Sequence, residues 1–130
     1  MTTDVAPGAV KILTGNGSSP FGLVCEHASH AIPPSFNNLG LDDEARYSHI
    51  AWDPGAETVT RVLNELLGAP AVLGRASRLL YDCNRSPTAP DAIPDRSEKF
   101  TIPGNENLSD DQKAIRIERF YQPFNAAVSA

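Results

Sequence analysis

The chain has 130 residues, of which 41% are hydrophobic and 21% are charged, so it has enough apolar material for one folded domain and wholesale disorder is excluded. Its formal net charge of −5 makes nucleic acid and anionic membrane surfaces poor candidates for partners. There is no apolar run of the roughly 20 residues that span a bilayer, no signal-peptide pattern and only two cysteines, which together favour a cytoplasmic protein.

The first predicted elements are a tail and a buried strand. Residues 1–19 are rich in Thr, Gly, Ser and Pro and lack periodicity, so we expect a flexible tail there and a single domain over residues 20–130. The short apolar run of residues 21–25 predicts a strand that ends in a polar cluster, Glu26 to His30. In α/β enzymes, chemistry is commonly placed at the carboxyl end of such a strand.

Two helices follow in the predicted order. A short helix is expected over residues 41–50, with acidic residues in its first turn. A longer one is expected over residues 54–67, with Asp53 as N-cap, Pro54 at the first position and Gly68 as the stop. Its apolar stripe consists of Val59, Val62, Leu63, Leu66 and Leu67.

Two further strands, a loop and a last helix complete the pattern. Residues 71–73 and 79–81 are candidate strands, and the strand–helix–strand order predicts an α/β sheet. The proline-rich residues 83–107 predict a long loop, which in a compact domain is usually functional or flexible. Capping-box spacing of Ser109 and Gln112 begins a helix that we expect to bend at Pro123. The apolar face expected on this helix consists of Ala114, Ile117, Tyr121, Phe124 and Val128.

The cluster after the first strand has the residue types of a metal site. A neutral imidazole such as His27 is a good zinc ligand, and the adjacent Glu26 carboxylate could orient a ligand or a water. A carboxylate at a helix start, such as Asp53, can face a cleft and bind the same ion. The alternatives stay open at this point: a polar turn for the cluster and a simple helix cap for Asp53.

A second group of residues has the chemistry of an anion site. Arg78 and Arg85 flank one predicted strand end, and arginine binds carboxylates through two parallel hydrogen bonds. Asn84 begins the following loop, and Asn105 ends an Ile-Pro-Gly-Asn turn that could close over a ligand. The alternatives are an Asp82–arginine pair that fixes the loop, and a turn with no ligand.

Taken together and in order, five segments resemble the N-formylglutamate amidohydrolase family. They are Leu23–Ser29, Ile32–Pro33, His49–Ala56, Ser77–Arg85 and Ile102–Asn105. The resemblance implies a phosphorylase/hydrolase-like α/β fold, with a mixed sheet flanked by helices, and hydrolysis of an N-acyl amide such as N-formyl-L-glutamate. It also implies Zn²⁺ or another divalent metal as cofactor and a small anionic N-acyl amino acid as substrate.

By position, the resemblance assigns roles to individual residues. His27 matches the family's first metal-binding histidine and Asp53 its acidic ligand, while Glu26 is the candidate catalytic carboxylate beside them. Arg78, Asn84 and Arg85 match the segment that lines the substrate pocket, and we add Asn105 to the substrate-binding group.

Family members are considerably longer, and a further histidine ligand and the general base are expected in their later half. We therefore expect this chain to be an incomplete N-terminal portion of the family domain, with a missing C-terminal half or self-association as ways to complete it. Two other functions remain alternatives: a non-catalytic module that binds small carboxylates, and an interaction fragment whose partner surface is the apolar face of the last helix.

Overall fold

The computed structural model describes residues 9–129, which form a mixed α/β fold around a small sheet. Its three strands are β1 (Val10–Leu13), β2 (Leu23–Cys25) and β3 (Ala71–Gly74). The strand order is β1-β3-β2, so β3 is central. It pairs antiparallel with β1 and parallel with β2, where Val24 lies beside Val72. The strands predicted at residues 21–25 and 71–73 are therefore confirmed.

The predicted tail over residues 1–19 is wrong where β1 forms. Residues 10–13 pair with all four residues of β3, from Val10 beside Gly74 to Leu13 beside Ala71. A four-residue edge strand is too short to leave a periodic pattern in the sequence, and its stability comes from the pairing rather than from local preference. Residues 1–8 of the predicted tail lie outside the described residues.

Both predicted central helices are present but shorter than expected. Helix α1 (Asp43–Arg46) is a single turn whose N-cap, Asp42, accepts a hydrogen bond from the Ala45 N–H. Helix α2 (Ala56–Leu67) ends at Gly68 as predicted, with φ of 64° at that glycine. In the part of the chain that the structure covers, no helix has the length and apolar character of a membrane crossing.

Asp53 is not the N-cap of α2, which corrects the sequence interpretation. The N-cap is Gly55, with φ of 86°, and no side chain caps the helix. Asp53 contributes only its backbone carbonyl, which accepts from the Ala56 N–H, while its own N–H donates to His27 O at 2.8 Å. The Asp53 carboxylate is therefore free for contacts outside the helix.

Helix α2 packs on the sheet with small and polar side chains, and not with its apolar stripe. Toward the sheet it presents Ala56, Thr60 and Asn64; Thr60 is buried, and the Asn64 amide donates to Thr14 O and Ala69 O. Its apolar stripe is instead exposed to solvent, with Leu66 75% exposed. Small and polar side chains thus make the contact that the stripe was expected to make.

Residues 79–81 form a buried turn and not the predicted strand. The turn begins with Ser77, whose carbonyl accepts from the Leu80 N–H and whose hydroxyl donates to Ala51 O. All three side chains, Leu79, Leu80 and Tyr81, are at most 2% exposed. They form the centre of the larger core cluster, together with Leu39, Ile50, Ile102 and Phe120.

The long predicted loop contains only short elements. These are a hairpin of β4 (Arg96–Ser97) with β5 (Phe100–Thr101) and a 3₁₀ turn over Pro103–Asn105. The remaining loop residues up to Asn107 are irregular, as the prolines predicted.

The last helix is continuous but changes its winding. It consists of α3 (Asp110–Arg116), a π turn (Ile117–Tyr121) and α4 (Gln122–Ser129), and the predicted capping box of Ser109 and Gln112 is present. The π turn, in which Gln122 N–H bonds to Ile117 O, comes directly before Pro123, whose ring cannot donate a hydrogen bond.

The apolar face predicted for this helix is only partly correct. Phe124 is buried, but Ala114 and Val128 are exposed, and Arg116 and Phe120 are buried instead. The wider π turn explains the difference, because inward positions then recur every four residues, at 116, 120 and 124.

Candidate active site

His27 lies between two carboxylates just beyond the end of β2. Its Nε2 is 2.7 Å from Asp82 Oδ1, and its Nδ1 is 3.3 Å from Asp53 Oδ2. The ring and Asp82 are largely buried, with 10% and 7% of their side chains exposed, whereas 53% of the Asp53 side chain is exposed. The backbone bond from Asp53 N–H to His27 O joins the strand end to the start of α2.

Arg78 closes this cluster on one side. Its Nη1 lies 3.4 Å from Asp53 Oδ1 and its Nη2 lies 3.3 Å from Asp82 Oδ2. One guanidinium therefore bridges the two carboxylates that flank His27. Because residues 79–81 form a turn and not the predicted strand, Arg78 and Asp82 are brought together.

The electrostatics of the cluster favour its charged form. Burial by itself would raise the pKa of Asp82, but the hydrogen bonds from His27 and the Asn84 N–H and the nearby Arg78 charge lower that pKa below its ordinary value. Burial would likewise lower the pKa of His27, but its hydrogen bond to Asp82 together with the negative charges of Asp82 and Asp53 outweighs this and raises that pKa. Asp82 is therefore ionised at neutral pH, and the His27 Nε2–H donates to it.

This arrangement fits part of a metal site. With Nε2–H donated to Asp82, the Nδ1 atom of His27 faces the Asp53 carboxylate, and either a proton on Nδ1 or a metal cation between the two groups would make that contact favourable. Two ligand atoms about 2.1 Å from one tetrahedral zinc ion lie roughly 3.4 Å apart, close to the 3.3 Å between Nδ1 and Oδ2. Within residues 9–129, however, no group of three or more His, Cys, Asp or Glu side chains could hold a metal ion. His27 and Asp53 thus form a pair of ligands that needs further ones.

A cavity of about 390 Å³ lies beside the cluster and is rich in arginine. Arg78, Arg85 and Arg96 line it, along with Asp82, Asp91 and residues of the β4–β5 hairpin. We call it the arginine-lined cavity. A guanidinium can donate two parallel hydrogen bonds to a carboxylate, so these arginines suit an anionic ligand. Asp82, Asp91 and Glu98 line the same cavity, and such a ligand would compete with Asp82 for Arg78 and with Asp91 for Arg85.

A second cavity, of about 490 Å³, lies between β2 and α2. His27, Asp53 and Glu26 line it on one side, and Val24 and Val59 on the other. We call it the β2–α2 cavity. Glu26 makes no side-chain hydrogen bond or ion pair with any described residue, so its carboxylate is available at the same opening as the two candidate ligands.

Asn84 and Arg85 take different parts at the site. Arg85 donates from Nε to Asp91 at 2.9 Å and reaches the arginine-lined cavity, as the resemblance implied. Asn84 uses its backbone N–H, which donates to Asp82 Oδ1 at 3.0 Å, and is exposed to solvent. The structure therefore places Arg85 at the arginine-lined cavity, paired with Asp91, and gives Asn84 a backbone hydrogen bond to Asp82.

The predicted substrate-binding role of Asn105 is wrong. Asn105 is buried, and its amide donates to Leu79 O and Pro94 O, both at 2.7 Å. Its Oδ1 accepts from Arg116 Nη1, which also donates to Leu80 O. Burial lowers the pKa of Arg116 to about 10, which still leaves it charged at neutral pH. All the polar capacity of this amide is used inside the protein, where it supports the turn that positions Asp82.

Two residues of the site were missed or underrated from sequence. Asp82 was expected only to fix a loop, yet it is the buried partner of His27. Arg96 was not singled out because the loop gave no pattern, and among the described residues it has no ion pair. The other two histidines are not part of the His27 cluster: His49 pairs with Glu98 at 2.6 Å, and both line the arginine-lined cavity, while His30 packs edge-on against Tyr47 and Trp52.

Comparisons with known proteins show the family and a similar fold. The crystal structure of gene product Atu2144 from Agrobacterium tumefaciens is similar, with a TM-score of 0.91 and 44% sequence identity over 95% of this chain. The match covers 49% of that protein, so this chain spans about half the length of its structural relative. No curated protein matches the chain. The sequence profile of N-formylglutamate amidohydrolase matches residues 19–130, and the chain therefore belongs to the N-formylglutamate amidohydrolase family.

Proposed function

We propose that this chain provides part of the active site of a metal-dependent hydrolase that cleaves the amide bond of a small anionic N-acyl amino acid, such as N-formyl-L-glutamate. The observation that carries the proposal is His27, held by Asp82 and facing Asp53, beside the arginine-lined cavity. Membership of the family supports the hydrolase class.

The arginines of the cavity would bind and orient the substrate. Arg85 and Arg78 would receive a substrate carboxylate through bidentate hydrogen bonds, in place of the long contacts of Arg78 to Asp53 and Asp82 and the 2.9 Å contact of Arg85 to Asp91. This fixes the acyl end toward the His27 cluster, since Arg78 contacts both carboxylates of that cluster. Orientation of this kind lowers the barrier by removing the entropy cost of alignment.

His27 and Asp53 would hold a Zn²⁺ ion or another divalent metal. Such an ion polarises the amide carbonyl and lowers the pKa of bound water toward about 7. Asp82 keeps Nε2 of His27 protonated and so leaves Nδ1 free for the metal. Glu26, which lines the same cavity and has no partner among the described residues, would accept a proton and pass it to the leaving amine.

A non-catalytic function as a carboxylate-binding module is the second candidate. It is favoured by the count of candidate ligands, because a catalytic zinc site normally has three protein ligands and two are present in residues 9–129. Isothermal titration calorimetry with N-formyl-L-glutamate distinguishes the two. Binding heat in the absence of any turnover, with and without zinc, supports the module, and hydrolysis supports the enzyme.

Metal content is the decisive test of the metal-dependent proposal. We expect near-stoichiometric zinc in the wild-type chain after incubation with the metal, and its loss in His27→Ala. His49→Ala is the matched control, because that histidine is exposed and pairs only with Glu98. Circular dichroism checks that both variants fold. Zinc retained by His27→Ala, or bound by none of the three proteins, contradicts the assignment of the ligands.

A further inference from the structure

The residues that follow β1 pack against the C-terminal end of α2. The Asn16 N–H donates to Gly68 O at 2.9 Å, and the Asn64 amide of α2 donates to Thr14 O at 3.1 Å. Gly68 ends the helix with φ of 64°, and a β-carbon at that position would collide with the Asn16 carboxamide. We call this the β1–α2 contact: Thr14 and Asn16 against Asn64 and Gly68.

Asn16 stands in a chemically distinctive place in the sequence, because it alone among the asparagines precedes a glycine. Gly17 has φ of 83°, and nothing lies within 4 Å of the point where a β-carbon would be. Its N–H makes no hydrogen bond with any other described residue, and Asn16, Gly17 and Ser18 are all exposed to solvent. The backbone nitrogen of Gly17 is therefore both accessible and uncrowded.

The side-chain oxygen of Asn16 is held by two donors from one residue. Asn16 Oδ1 accepts from the Ser18 N–H at 3.0 Å and from the Ser18 hydroxyl at 2.8 Å. These bonds fold the carboxamide back along its own chain, beside the Gly17 peptide group that lies between the two residues. Donors at this oxygen also stabilise the negative charge that develops there when a nucleophile attacks Cγ.

We propose that Asn16 is a site of spontaneous covalent modification, at which the folded chain converts the asparagine to aspartate and isoaspartate. The Gly17 nitrogen loses its proton and forms a bond to Asn16 Cγ, the Cγ–Nδ2 bond breaks, and the nitrogen leaves as ammonia, which closes a five-membered succinimide ring. One water molecule then opens the ring and returns a proton to the Gly17 nitrogen. Cleavage of the new N–Cγ bond gives aspartate, and cleavage of the original peptide bond gives isoaspartate. The only co-reactant is water, and the inference is independent of the proposed function.

Either product changes the β1–α2 contact. Both carry a new carboxylate at position 16, next to the end of α2, where the last carbonyl groups have partial negative charge. The last turn of α2 contains no basic residue that could offset this charge. Isoaspartate also adds one atom to the main chain just before Gly17. The modification is therefore expected to weaken the packing of the β1 end against the helix.

Peptide mapping by mass spectrometry tests the proposal on the full 130-residue chain after incubation at mildly alkaline pH. The probe for isoaspartate is an isoaspartyl methyltransferase with S-adenosylmethionine, which methylates the free α-carboxyl group of that product. Asn84 is the internal control, because it is also exposed but precedes an arginine. We expect conversion at Asn16 to be about tenfold faster than at Asn84, or more, since only a glycine leaves the attacking nitrogen uncrowded.

Matched variants separate the parts of the proposal. Ser18→Ala removes the hydroxyl donor and should slow conversion about threefold, as expected for the loss of one neutral hydrogen bond. Ser19→Ala is its control, because that hydroxyl accepts from the Phe21 N–H and does not contact Asn16. Asn16→Asp imitates one product and should lower the Tm by about 1–4 °C. Circular dichroism verifies that each variant folds.

The outcomes are separate from catalysis, since neither activity nor metal binding is measured. Faster conversion at Asn16 than at Asn84, slowed by Ser18→Ala and not by Ser19→Ala, supports the proposal even if no hydrolysis of any substrate is detected. The proposal is overturned if Asn16 reacts in urea but keeps its amide in the folded protein, or if Asn16 and Asn84 convert at equal rates. It is also overturned if Ser18→Ala reacts as fast as wild type, or if Asn16→Asp melts at or above the wild-type Tm.

Discussion

Asp82→Asn is the substitution that tests most directly how the site is organised. Asp82 accepts hydrogen bonds from His27 at 2.7 Å, the Asn84 N–H at 3.0 Å and Arg78 at 3.3 Å. An asparagine keeps the shape of the side chain and one acceptor oxygen. Its NH₂ group replaces the other oxygen and is itself a donor, so it faces a donor from His27 and Asn84 or from Arg78 and cannot accept the hydrogen bond. Hydrogen bonds to charged groups are worth about 1.5–3 kcal/mol each. Loss of one and weakening of another predict a decrease of about 2–4 kcal/mol in the free energy of unfolding.

Urea unfolding of the metal-free protein near pH 6 measures this decrease, and zinc titration measures the effect on the metal. We expect zinc affinity to fall by about 10–100-fold, because loss of a carboxylate that orients a histidine ligand has that effect in other sites. Asp91→Asn is the control, since its pair with Arg85 is exposed and should contribute at most about 1 kcal/mol. If both variants lost the same small amount of stability, Asp82 would not be the group that holds His27.

Four other predictions follow from individual contacts. In metal-free protein, the stability that Asp82 and His27 contribute should be greatest between their ordinary pKa values of 3.8 and 6.5. This stability is lost as the pH falls through the lowered pKa of Asp82, and it declines as the pH rises through the raised pKa of His27. Urea unfolding at several pH values would show both losses. Partial burial raises the pKa of Cys83 to about 12, so at pH 8 its thiol should react with Ellman's reagent much more slowly in the folded Cys25→Ser variant than after unfolding; equal rates would contradict this. Arg96→Ala should weaken calorimetric binding of N-formyl-L-glutamate about tenfold, with a Tm close to that of wild type, because its guanidinium lines the cavity without an ion pair among the described residues; unchanged affinity would remove it from the site. Arg116→Met should lower the free energy of unfolding by about 3–5 kcal/mol in urea titrations, since it leaves the Leu80 carbonyl without its partner, and a loss below about 1 kcal/mol would show that the buried network is dispensable.

Local chemistry explains which parts of the fold were predictable. The stop of α2 at Gly68 and the capping box of Ser109 and Gln112 depend on residues within a few positions of each other, and both were predicted. The run at 79–81 was misinterpreted because a buried turn and a buried strand have the same apolar composition. What decides between them is distant: Asn105 and Arg116 bind the carbonyls of Leu79 and Leu80, so no strand partner is needed.

In the candidate site too, features set by nearby residues were predictable and features set by distant residues were not. The sequence singled out His27, Asp53 and Arg78, which the structure brings together, because polar residues after a buried strand and beside a helix start are unusual enough to notice. It assigned Asp53 to a cap, since Asp-Pro before a helix has that local meaning. In the structure, the Asp53 N–H instead donates to His27 O, a contact between residues 26 positions apart that the local sequence does not reveal. Asp82 was underrated for the same reason, because its partner His27 lies 55 positions away.

The stripe of α2 illustrates a more general limit of pattern reasoning. Apolar residues at helical spacing establish that a face will be covered, but not which element covers it. In this chain the face nearest the sheet is made of Ala56, Thr60 and Asn64, which allow a close approach and satisfy backbone carbonyls with an amide. The stripe is left over, beside the open edge of β2 and the cavity that His27 and Asp53 share. A segment that covered it would also exclude water from the opening above those two candidate ligands, where a lower dielectric strengthens every charge interaction.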